Sequence, residues 1–176
     1  MNILLFNASN SESSIHRVLL DAVRPHLAGH DVTYSSTADF DLPLFSTDLE
    51  REEGYPEEVE AFYELIAAHD AVVLACPEHN GSIPAAFKNL FDWTSRYANT
   101  QSAKMFAEKA VLLFSTSPGP NGGATNLAHL AGLLPWQGAT VVGQHSLGGF
   151  AARFTDGKAN AETDAVLKEA VQALFN

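Results

Sequence analysis

The chain has 176 residues, of which 46% are hydrophobic and 18% are charged. This length suits one domain with a sizeable core, and the apolar content excludes a disordered chain. Because 10 Lys and Arg stand against 21 Asp and Glu, the formal net charge is -11. That charge argues against nucleic acid or an anionic membrane surface as a partner, so any phosphate group must be bound locally.

The usage of cysteine and histidine excludes several kinds of site. Cys76 is the single cysteine, so the chain can form neither an internal disulfide nor a multi-cysteine metal site. The seven histidines are scattered, with no pair spaced for a metal on one helix face, and no metal site is expected. No basic leader precedes the first apolar run, and no run approaches the length of about 18 residues that spans a bilayer. These features predict a soluble protein of the cytoplasm.

Short apolar runs alternate with helical patterns along the whole chain. Four runs predict buried parallel strands, at residues 3–6, 71–75, 110–114 and 139–142, and a weaker run predicts an edge strand at 31–34. Helical periodicity follows each strand, at residues 14–28, 57–68, 83–97, 124–134 and 161–175. One long stretch, residues 35–55, has the character of an irregular loop.

The alternation predicts a single α/β domain over residues 1–176. The favoured architecture is a flavodoxin-like three-layer sandwich with a five-stranded parallel sheet of order 2-1-3-4-5, and half of a Rossmann fold is the alternative. Ligands of such sheets bind outside the carboxyl ends of the strands. The loops after the first, third and fourth strands are therefore the candidate site.

The loop after the first strand is rich in serine. Residues 9–14 contain four serines directly before a predicted helix, where hydroxyls and unpaired helix amides together suit a phosphate group. The loop lacks the glycines and the lysine of a Walker motif. The alternative interpretation is that these residues only cap the helix and form a turn.

The other two loops are suited to a flat ligand. In residues 77–84, Asn80 and Gly81 tolerate positive φ and predict a sharp turn that exposes backbone amides. Residues 115–123 include three glycines and no large side chain, so a planar ring could lie against them. A flexible turn is the alternative for this third loop.

A longer signature includes the second loop and the helix that follows it. Residues 77–84 read P-E-H-N-G-S-I-P, and Lys88, Asn89, Asp92 and Trp93 follow. This pattern resembles the P-E-Y-N-G-S-x-P-x-x-x-K-N-x-x-D-W signature of the NAD(P)H-dependent FMN reductase family. The serine loop, residues 41–50 and the glycine loop also resemble segments of that family, so the resemblance covers essentially the whole chain.

The resemblance implies bound FMN, NADPH or NADH as electron donor, and a homodimer or homotetramer. It further implies hydride transfer to FMN and then to a second small acceptor, such as a flavin, a quinone or an azo compound, with ping-pong kinetics and no catalytic side chain. The residues that it places at the phosphate are Ser9, Ser11, Ser14 and His16. Those that it places at the flavin ring are Pro77, Glu78, His79, Asn80, Gly81, Ser82, Ser115, Ser117, Gly119, Gly122 and Gly123.

Three positions depart from the family pattern. Ser11 replaces an arginine, His16 an asparagine and His79 a tyrosine. The missing arginine removes a permanent charge from the phosphate site, for which a protonated His16 would compensate. If His16 does not do so, it is an ordinary exposed helix residue.

Two other functions remain open at this stage. Ten of the 21 acidic residues lie within residues 39–64, where an acidic surface would suit a flavodoxin-type electron carrier without nicotinamide turnover. Against the carrier, the helix carries more aromatics than one buried face needs, which indicates a subunit interface: Phe87, Phe91, Trp93 and Tyr97. A hydrolase is a weaker alternative, because residues 144–148 resemble a nucleophile elbow but lack its first glycine.

Overall fold

The computed structural model describes residues 1–176, and its main sheet has five strands in the order β2-β1-β3-β4-β5. Every neighbouring pair of these strands is parallel. The strands are β1 (Asn2–Asn7), β2 (Asp31–Ser36), β3 (Ala71–Ala75), β4 (Ala110–Ser117) and β5 (Thr140–Gly148). The predicted flavodoxin-like order is confirmed, with β2 and β5 at the two edges.

Helices connect the strands. They are α1 (Ile15–Val23), α2 (Thr47–Glu53), α3 (Glu57–Ala67), α4 (Ala85–Thr100), α5 (Ala124–Leu133), α6 (Phe150–Arg153) and α7 (Ala161–Val171). Four 3-10 turns, at Arg24–Leu27, Thr37–Asp39, Leu134–Gln137 and Gln172–Phe175, and a small antiparallel ribbon, β6 (Phe154–Thr155) with β7 (Lys158–Ala159), complete the chain. No helix is long and apolar enough to cross a bilayer.

The sheet has a hydrophobic cluster on each face. Alternate side chains of a strand point to opposite faces, so Leu4 and Phe6 pack with α3 and α4 while Ile3 and Leu5 pack with α1 and α7. All four of these side chains are at most 1% exposed. The central strands are therefore covered on both faces, as their near-continuous apolar runs predict.

Several predicted boundaries are wrong. The first predicted helix, 14–28, is divided into α1 and a 3-10 turn that contains Pro25, because proline lacks the amide that an α-helix needs. The stretch 35–55 is not one irregular loop, since Ser46 accepts a hydrogen bond from the Leu49 amide and caps α2. The last strand extends from the predicted 139–142 to Gly148, so residues 144–148 lie within β5 and α6 follows them.

Three of the four aromatic side chains of α4 are interior residues of the protomer, and the fourth, Tyr97, is half-buried. Phe87, Phe91 and Trp93 are 2%, 4% and 0% exposed. Trp93 Nε1 also donates a hydrogen bond to the Pro43 carbonyl at 2.9 Å, which fastens the loop before α2 onto α4. The protomer alone therefore accounts for these three aromatics, and a subunit interface on α4 stays a prediction.

Candidate functional site

The three candidate loops meet at the carboxyl edge of the sheet, where a buried polar junction joins them. The Cys76 carbonyl accepts hydrogen bonds from Ser115 Oγ at 2.7 Å and from Asn126 Nδ2 at 2.9 Å. Ser115 and Asn126 are both 0% exposed. This junction connects the end of β3 to β4 and α5, so the second and third loops have a fixed relation to each other.

The serine loop is anchored at its base and open at its tip. Asn7 Oδ1 accepts a hydrogen bond from the Ser9 amide at 3.1 Å, and Ser14 Oγ accepts one from the His16 amide at 3.2 Å. Ser9 and Ser14 are buried, whereas Ser11 is exposed. The interpretation as caps is thus correct for Ser14, but it does not account for the rest of the loop.

The tip of the serine loop is suited to an anion. Asn10, Glu12 and Ser13 have amides that make no hydrogen bond within the chain, and they directly precede the N-terminus of α1. The exposed hydroxyls of Ser11 and Ser13 lie 3.4 Å apart beside them. Unpaired amides, hydroxyls and the positive end of the helix dipole fit a phosphate group.

No basic side chain takes the place of the missing arginine. Arg17 is the nearest arginine in the sequence, but its Nε donates to Asp21 at 3.0 Å and its guanidinium lies 3.6 Å from the centre of the Tyr34 ring. The three candidate loops themselves contain no Lys or Arg. Dipoles rather than cations would therefore hold a phosphate here.

His16 is a buried, neutral member of the polar junction. It is 2% exposed, and its Nε2 lies 3.2 Å from the Thr116 amide and 3.4 Å from Ser115 Oγ. Since an amide can only donate, Nε2 accepts and the ring proton is on Nδ1. Burial, with a smaller contribution from the nearby charge of His79, lowers the pKa of His16 to about 4.

Both interpretations of His16 from the sequence are therefore wrong. It is not an exposed helix residue, and it cannot add positive charge to the phosphate site near neutral pH. The contact with Thr116 follows from the strand lengths. β3 ends at Ala75, opposite Phe114, so β4 beyond Phe114 has no strand beside it on the β3 side. His16 supplies the missing hydrogen-bond acceptor.

The second loop contains a tight turn that projects from the sheet edge. The His79 amide donates to the Ser82 carbonyl at 2.9 Å, and the Ser82 amide donates to the His79 carbonyl at 3.1 Å. Asn80 and Gly81 between them have φ values of 53° and 78°, as the sequence predicts. His79, Asn80 and Gly81 are exposed, while Pro77 is buried beneath them.

Two side chains fix this turn to α5. Ser82 Oγ lies 2.8 Å from His129 Nδ1. The half-buried Glu78 carboxylate accepts from the Asn126 amide at 3.1 Å and lies 3.3 Å from Asn121 Nδ2. Glu78 thus lies at the N-terminus of α5 and points toward the third loop, and its place at the flavin ring stays a prediction.

The third loop is tightly packed. Gly122 and Gly123 are buried with φ values of 59° and 77°. A Cβ at Gly123 would lie 2.0 Å from Ser115 Oγ, so only glycine fits there. Ser117 Oγ accepts from the Gly122 amide at 3.0 Å and donates to the Gly119 carbonyl at 2.9 Å. Of the three glycines, Gly119 alone is exposed, so the loop is compact at Gly122 and Gly123 and open at Gly119.

A cleft lies beside the serine loop on its β2 side. Its volume is about 470 Å³, and its lining includes Asn10, Glu12, Phe40, Asp41 and Asn89. Two carboxylates and no cation face it. Composition alone does not identify this cleft, because its walls come from three separate segments of the chain.

Sequence reasoning also missed Asn7, Thr116, Asn126 and His129. Thr116, Asn126 and His129 contact residues 47 or more positions away in the chain. The one available signal is that Asn7 is a polar residue directly after an apolar run. No group of three or more His, Cys, Asp or Glu side chains is arranged to hold a metal ion. Cys76 is buried, and burial raises the pKa of its thiol to about 12, so it is not a thiolate nucleophile.

Comparisons with known proteins relate the chain to several oxidoreductases. A 40% identity over 102 residues relates the chain to a quinone reductase of Escherichia coli (strain K12), covering 58% of this chain and 52% of that protein. An NADPH:quinone oxidoreductase of Arabidopsis thaliana is 33% identical over 127 residues, covering 70% of this chain and 61% of that protein. The chain thus aligns with only about half to three fifths of these relatives.

Structural similarity extends over nearly the whole chain. The flavoenzyme NAD(P)H:(acceptor) oxidoreductase FerB from Paracoccus denitrificans matches with a TM-score of 0.77 and 26% identity, over 98% of this chain and 94% of that chain. The family model described as NADPH-dependent FMN reductase matches residues 1–152, from β1 into α6. The chain therefore belongs to the NADPH-dependent FMN reductase family.

Proposed function

We propose that the chain is an NAD(P)H-dependent oxidoreductase that binds FMN at the carboxyl edge of its sheet and reduces a small acceptor. The observation that carries this proposal is the meeting of three dissimilar loops: unpaired amides at the N-terminus of α1, the exposed turn at residues 79–82 and the compact loop at residues 115–123. The names of the relatives, quinone reductase and NADPH:quinone oxidoreductase, support a quinone as acceptor.

Each loop has a distinct task under this proposal. Ser9, Ser11 and Ser14, with the loop amides, bind the phosphate group. Backbone groups of residues 77–82 orient the ring, and Ser115, Ser117 and the three glycines support it from the β4 side. Glu78 and His16 do not touch the reacting atoms, since both are engaged within the protein. The chain orients the reactants, and no side chain is assigned as acid, base or nucleophile.

When bound, FMN supplies the hydride-accepting and hydride-donating chemistry. Donor and acceptor occupy the same exposed side of the site in turn, which gives ping-pong kinetics with parallel double-reciprocal plots. The same site takes NADPH or NADH, and a flavin, quinone or azo compound is the class of acceptor. We further propose a homodimer or homotetramer, as the family resemblance implies. A place in the cytoplasm is also proposed, since the single cysteine, Cys76, is a free thiol.

The test is reduction of reconstituted protein. Purified chain is titrated with FMN, and the flavin absorption band is followed under anaerobic conditions after NADH or NADPH is added, and again after a quinone is added. Bleaching and then recovery of the band are expected. Absence of flavin binding at micromolar FMN would refute the proposal.

A matched pair of variants locates the phosphate. Ser13→Asp places a carboxylate among the unpaired amides, where it repels the phosphate group of FMN. A repulsion of about 1.4 kcal/mol is enough to weaken FMN binding tenfold. Asp is also favourable near a helix N-terminus, so the variant is expected to fold. Ser46→Asp makes the same change at the cap of α2 and leaves FMN affinity unchanged. Equal affinity of the two variants would contradict the phosphate assignment.

The acidic surface leaves one alternative function, that of an electron carrier. Glu52, Glu53, Glu57, Glu60 and Glu64 are exposed on α2 and α3, a surface that suits docking of a basic redox partner. An electron carrier would hold FMN yet show no turnover with NADH or NADPH. Steady-state oxidation of either nucleotide by the purified chain and a quinone alone separates the reductase from the carrier.

A further inference from the structure

The cleft on the β2 side of the serine loop contains a buried polar atom without a partner. Thr37 lines the cleft and is 3% exposed, and its Oγ1 makes no hydrogen bond. A buried hydroxyl without a partner costs free energy, and a ligand that places a polar atom against it removes that cost. The volume of the cleft, about 470 Å³, is typical of small-molecule sites. The cleft is therefore a candidate ligand site.

Two unpaired carboxylates belong to the same cleft. Glu12 lies in the serine loop and Asp41 in the segment after β2, and neither forms an ion pair. No Lys or Arg lines the cleft, and Lys88, one position before the lining residue Asn89, is paired with Asp92 at 2.6 Å. Carboxylates accept hydrogen bonds from ligand hydroxyls and repel anions. The cleft thus suits a group with several hydroxyls and disfavours a phosphate.

Four apolar residues also line the cleft. Phe40 and Leu42 are partly buried and pack against the hydrophobic cluster between the sheet, α3 and α4, and Ala38 and Ala86 complete this part of the lining. A nucleoside combines a flat, weakly polar base with a sugar that carries two free hydroxyls. An apolar wall together with carboxylates that accept from hydroxyls matches that combination.

The position of the cleft connects it to the proposed flavin site. Asn10 and Glu12 line the cleft, and their unpaired amides belong to the tip of the serine loop. Ala86 lies in the first turn of α4, four residues after Ser82, and is therefore at most about 15 Å from the exposed turn at residues 79–82. A dinucleotide whose nicotinamide lies at that turn can reach the cleft with its adenosine end.

We propose that this cleft binds the adenosine end of the nicotinamide nucleotide and that Glu12 and Asp41 select NADH over NADPH. The two nucleotides differ by a phosphate on the 2′-hydroxyl of the adenosine ribose. In NADH that hydroxyl donates to a carboxylate, as it does in dinucleotide sites that place an acidic residue there. In NADPH the phosphate meets two negative charges and no cation. The inference rests on the proposed reductase function and departs from the NADPH dependence for which the family is named.

Two arginines near the carboxyl edge of the sheet do not change this charge balance, because both are engaged within the protein. Arg17 pairs with Asp21 at 3.0 Å. Arg153 Nε donates to the Gly148 carbonyl at 2.8 Å, and its Nη1 lies 3.3 Å from Thr163 Oγ1. The three candidate loops contain no Lys or Arg. A 2′-phosphate therefore finds no free cation in the cleft or in the loops beside it.

The first test is kinetic and uses the full chain saturated with FMN, with a quinone as acceptor. The kcat/KM for NADH is expected to exceed that for NADPH about tenfold or more, chiefly through KM. Glu12→Gln combined with Asp41→Asn removes both charges at nearly constant shape and is expected to bring the two values within about threefold of each other. Asp31→Asn combined with Glu64→Gln makes the same change in net charge on exposed residues outside the cleft and is expected to keep the wild-type preference.

The second test needs no turnover. ADP-ribose and its 2′-phosphorylated form carry the adenosine end without the nicotinamide, and each is titrated by calorimetry into the purified full chain with FMN present. ADP-ribose is expected to bind about tenfold or more tightly than the phosphorylated form. Hydrogen exchange with ADP-ribose is expected to show protection in residues 37–42, which line the cleft after β2.

An equal or higher kcat/KM with NADPH, or a cleft double variant that keeps the wild-type preference, would overturn the inference and leave the reductase function intact. If neither nucleotide is oxidised, the proposed function fails instead, and the ADP-ribose titration alone decides whether the cleft binds the adenosine end. Equal or tighter binding of the phosphorylated probe, or protection confined to residues outside the cleft, would overturn the inference in either case. Thermal unfolding by circular dichroism checks that both double variants are folded.

Discussion

Replacement of His16 by glutamine tests the role assigned to the buried imidazole. Nε2 accepts a hydrogen bond from the Thr116 amide, and burial lowers the pKa of His16 from 6.5 to about 4. A glutamine side chain is expected to place its carbonyl oxygen near the position of Nε2. His16→Gln therefore retains an acceptor for Thr116 but cannot be protonated.

The sign of the pH effect follows from the lowered pKa. Between pH 6.5 and about 4 the unfolded chain protonates His16 while the folded protein keeps it neutral. Because the unfolded state binds more protons, the free energy of unfolding falls as the pH falls through this window. At about 1.36 kcal/mol per pH unit, the loss attributable to His16 reaches about 3 kcal/mol. Above pH 6.5 the residue contributes no pH dependence.

The assay is urea unfolding at a series of pH values across that window. The His16→Gln protein is expected to match wild type near neutral pH and to lose less stability at the acidic end, so the two curves separate by up to about 3 kcal/mol. His30→Gln is the control, since His30 lies beside Met1 and takes no part in the junction. Equal acid dependence in wild type and His16→Gln would refute a buried, neutral His16.

Three other predictions use different parts of the site. Gly123→Ala forces a Cβ to within 2.0 Å of Ser115 Oγ at a φ of +77°, so a loss of at least about 1–2 kcal/mol in urea unfolding is expected, whereas Gly119→Ala, with open space around it, is nearly neutral. Cys76 is expected to react with a thiol reagent only after unfolding, since burial raises its thiol pKa to about 12; rapid reaction of the folded protein would contradict this. FMN affinity, measured by fluorescence titration, is expected to stay level or rise with salt, because salt screens the repulsion between the phosphate and a chain of net charge -11; a steep fall would reveal a basic phosphate ligand.

The sheet could be predicted from the sequence because a strand that is buried on both faces must be apolar at every position. Residues 71–75 satisfy this condition and form β3 without a change of boundary. β5 was predicted too short because it is an edge strand, and its second half carries Gln144, His145 and Ser146. Half-exposed strands do not need apolar runs, so hydrophobicity alone cannot show where they end.

The meeting of the three loops at one edge of the sheet could be predicted, but the contacts of their side chains could not. Parallel topology places the carboxyl ends of β1, β3 and β4 at one edge, whatever their loops contain. The orientation of Glu78 toward α5 and of His16 toward β4 depends on contacts with residues 48 and 100 positions away. Such pairings come from the assembled fold, so a motif predicts that a residue belongs to the site without showing what it touches.

The departures from the family signature leave the proposed phosphate site without a positively charged side chain. Where the family has an arginine, the exposed Ser11 offers a hydroxyl, and where the family has an asparagine, His16 is kept uncharged by burial. Arg17 is engaged by Asp21 and Tyr34. What remains for a phosphate is the N-terminus of α1, equivalent to about half a positive charge, with its unpaired amides. These groups are fixed by the anchored loop and act only at short range. Under the proposed function, recognition therefore depends on the fit of the phosphate to the loop rather than on long-range attraction.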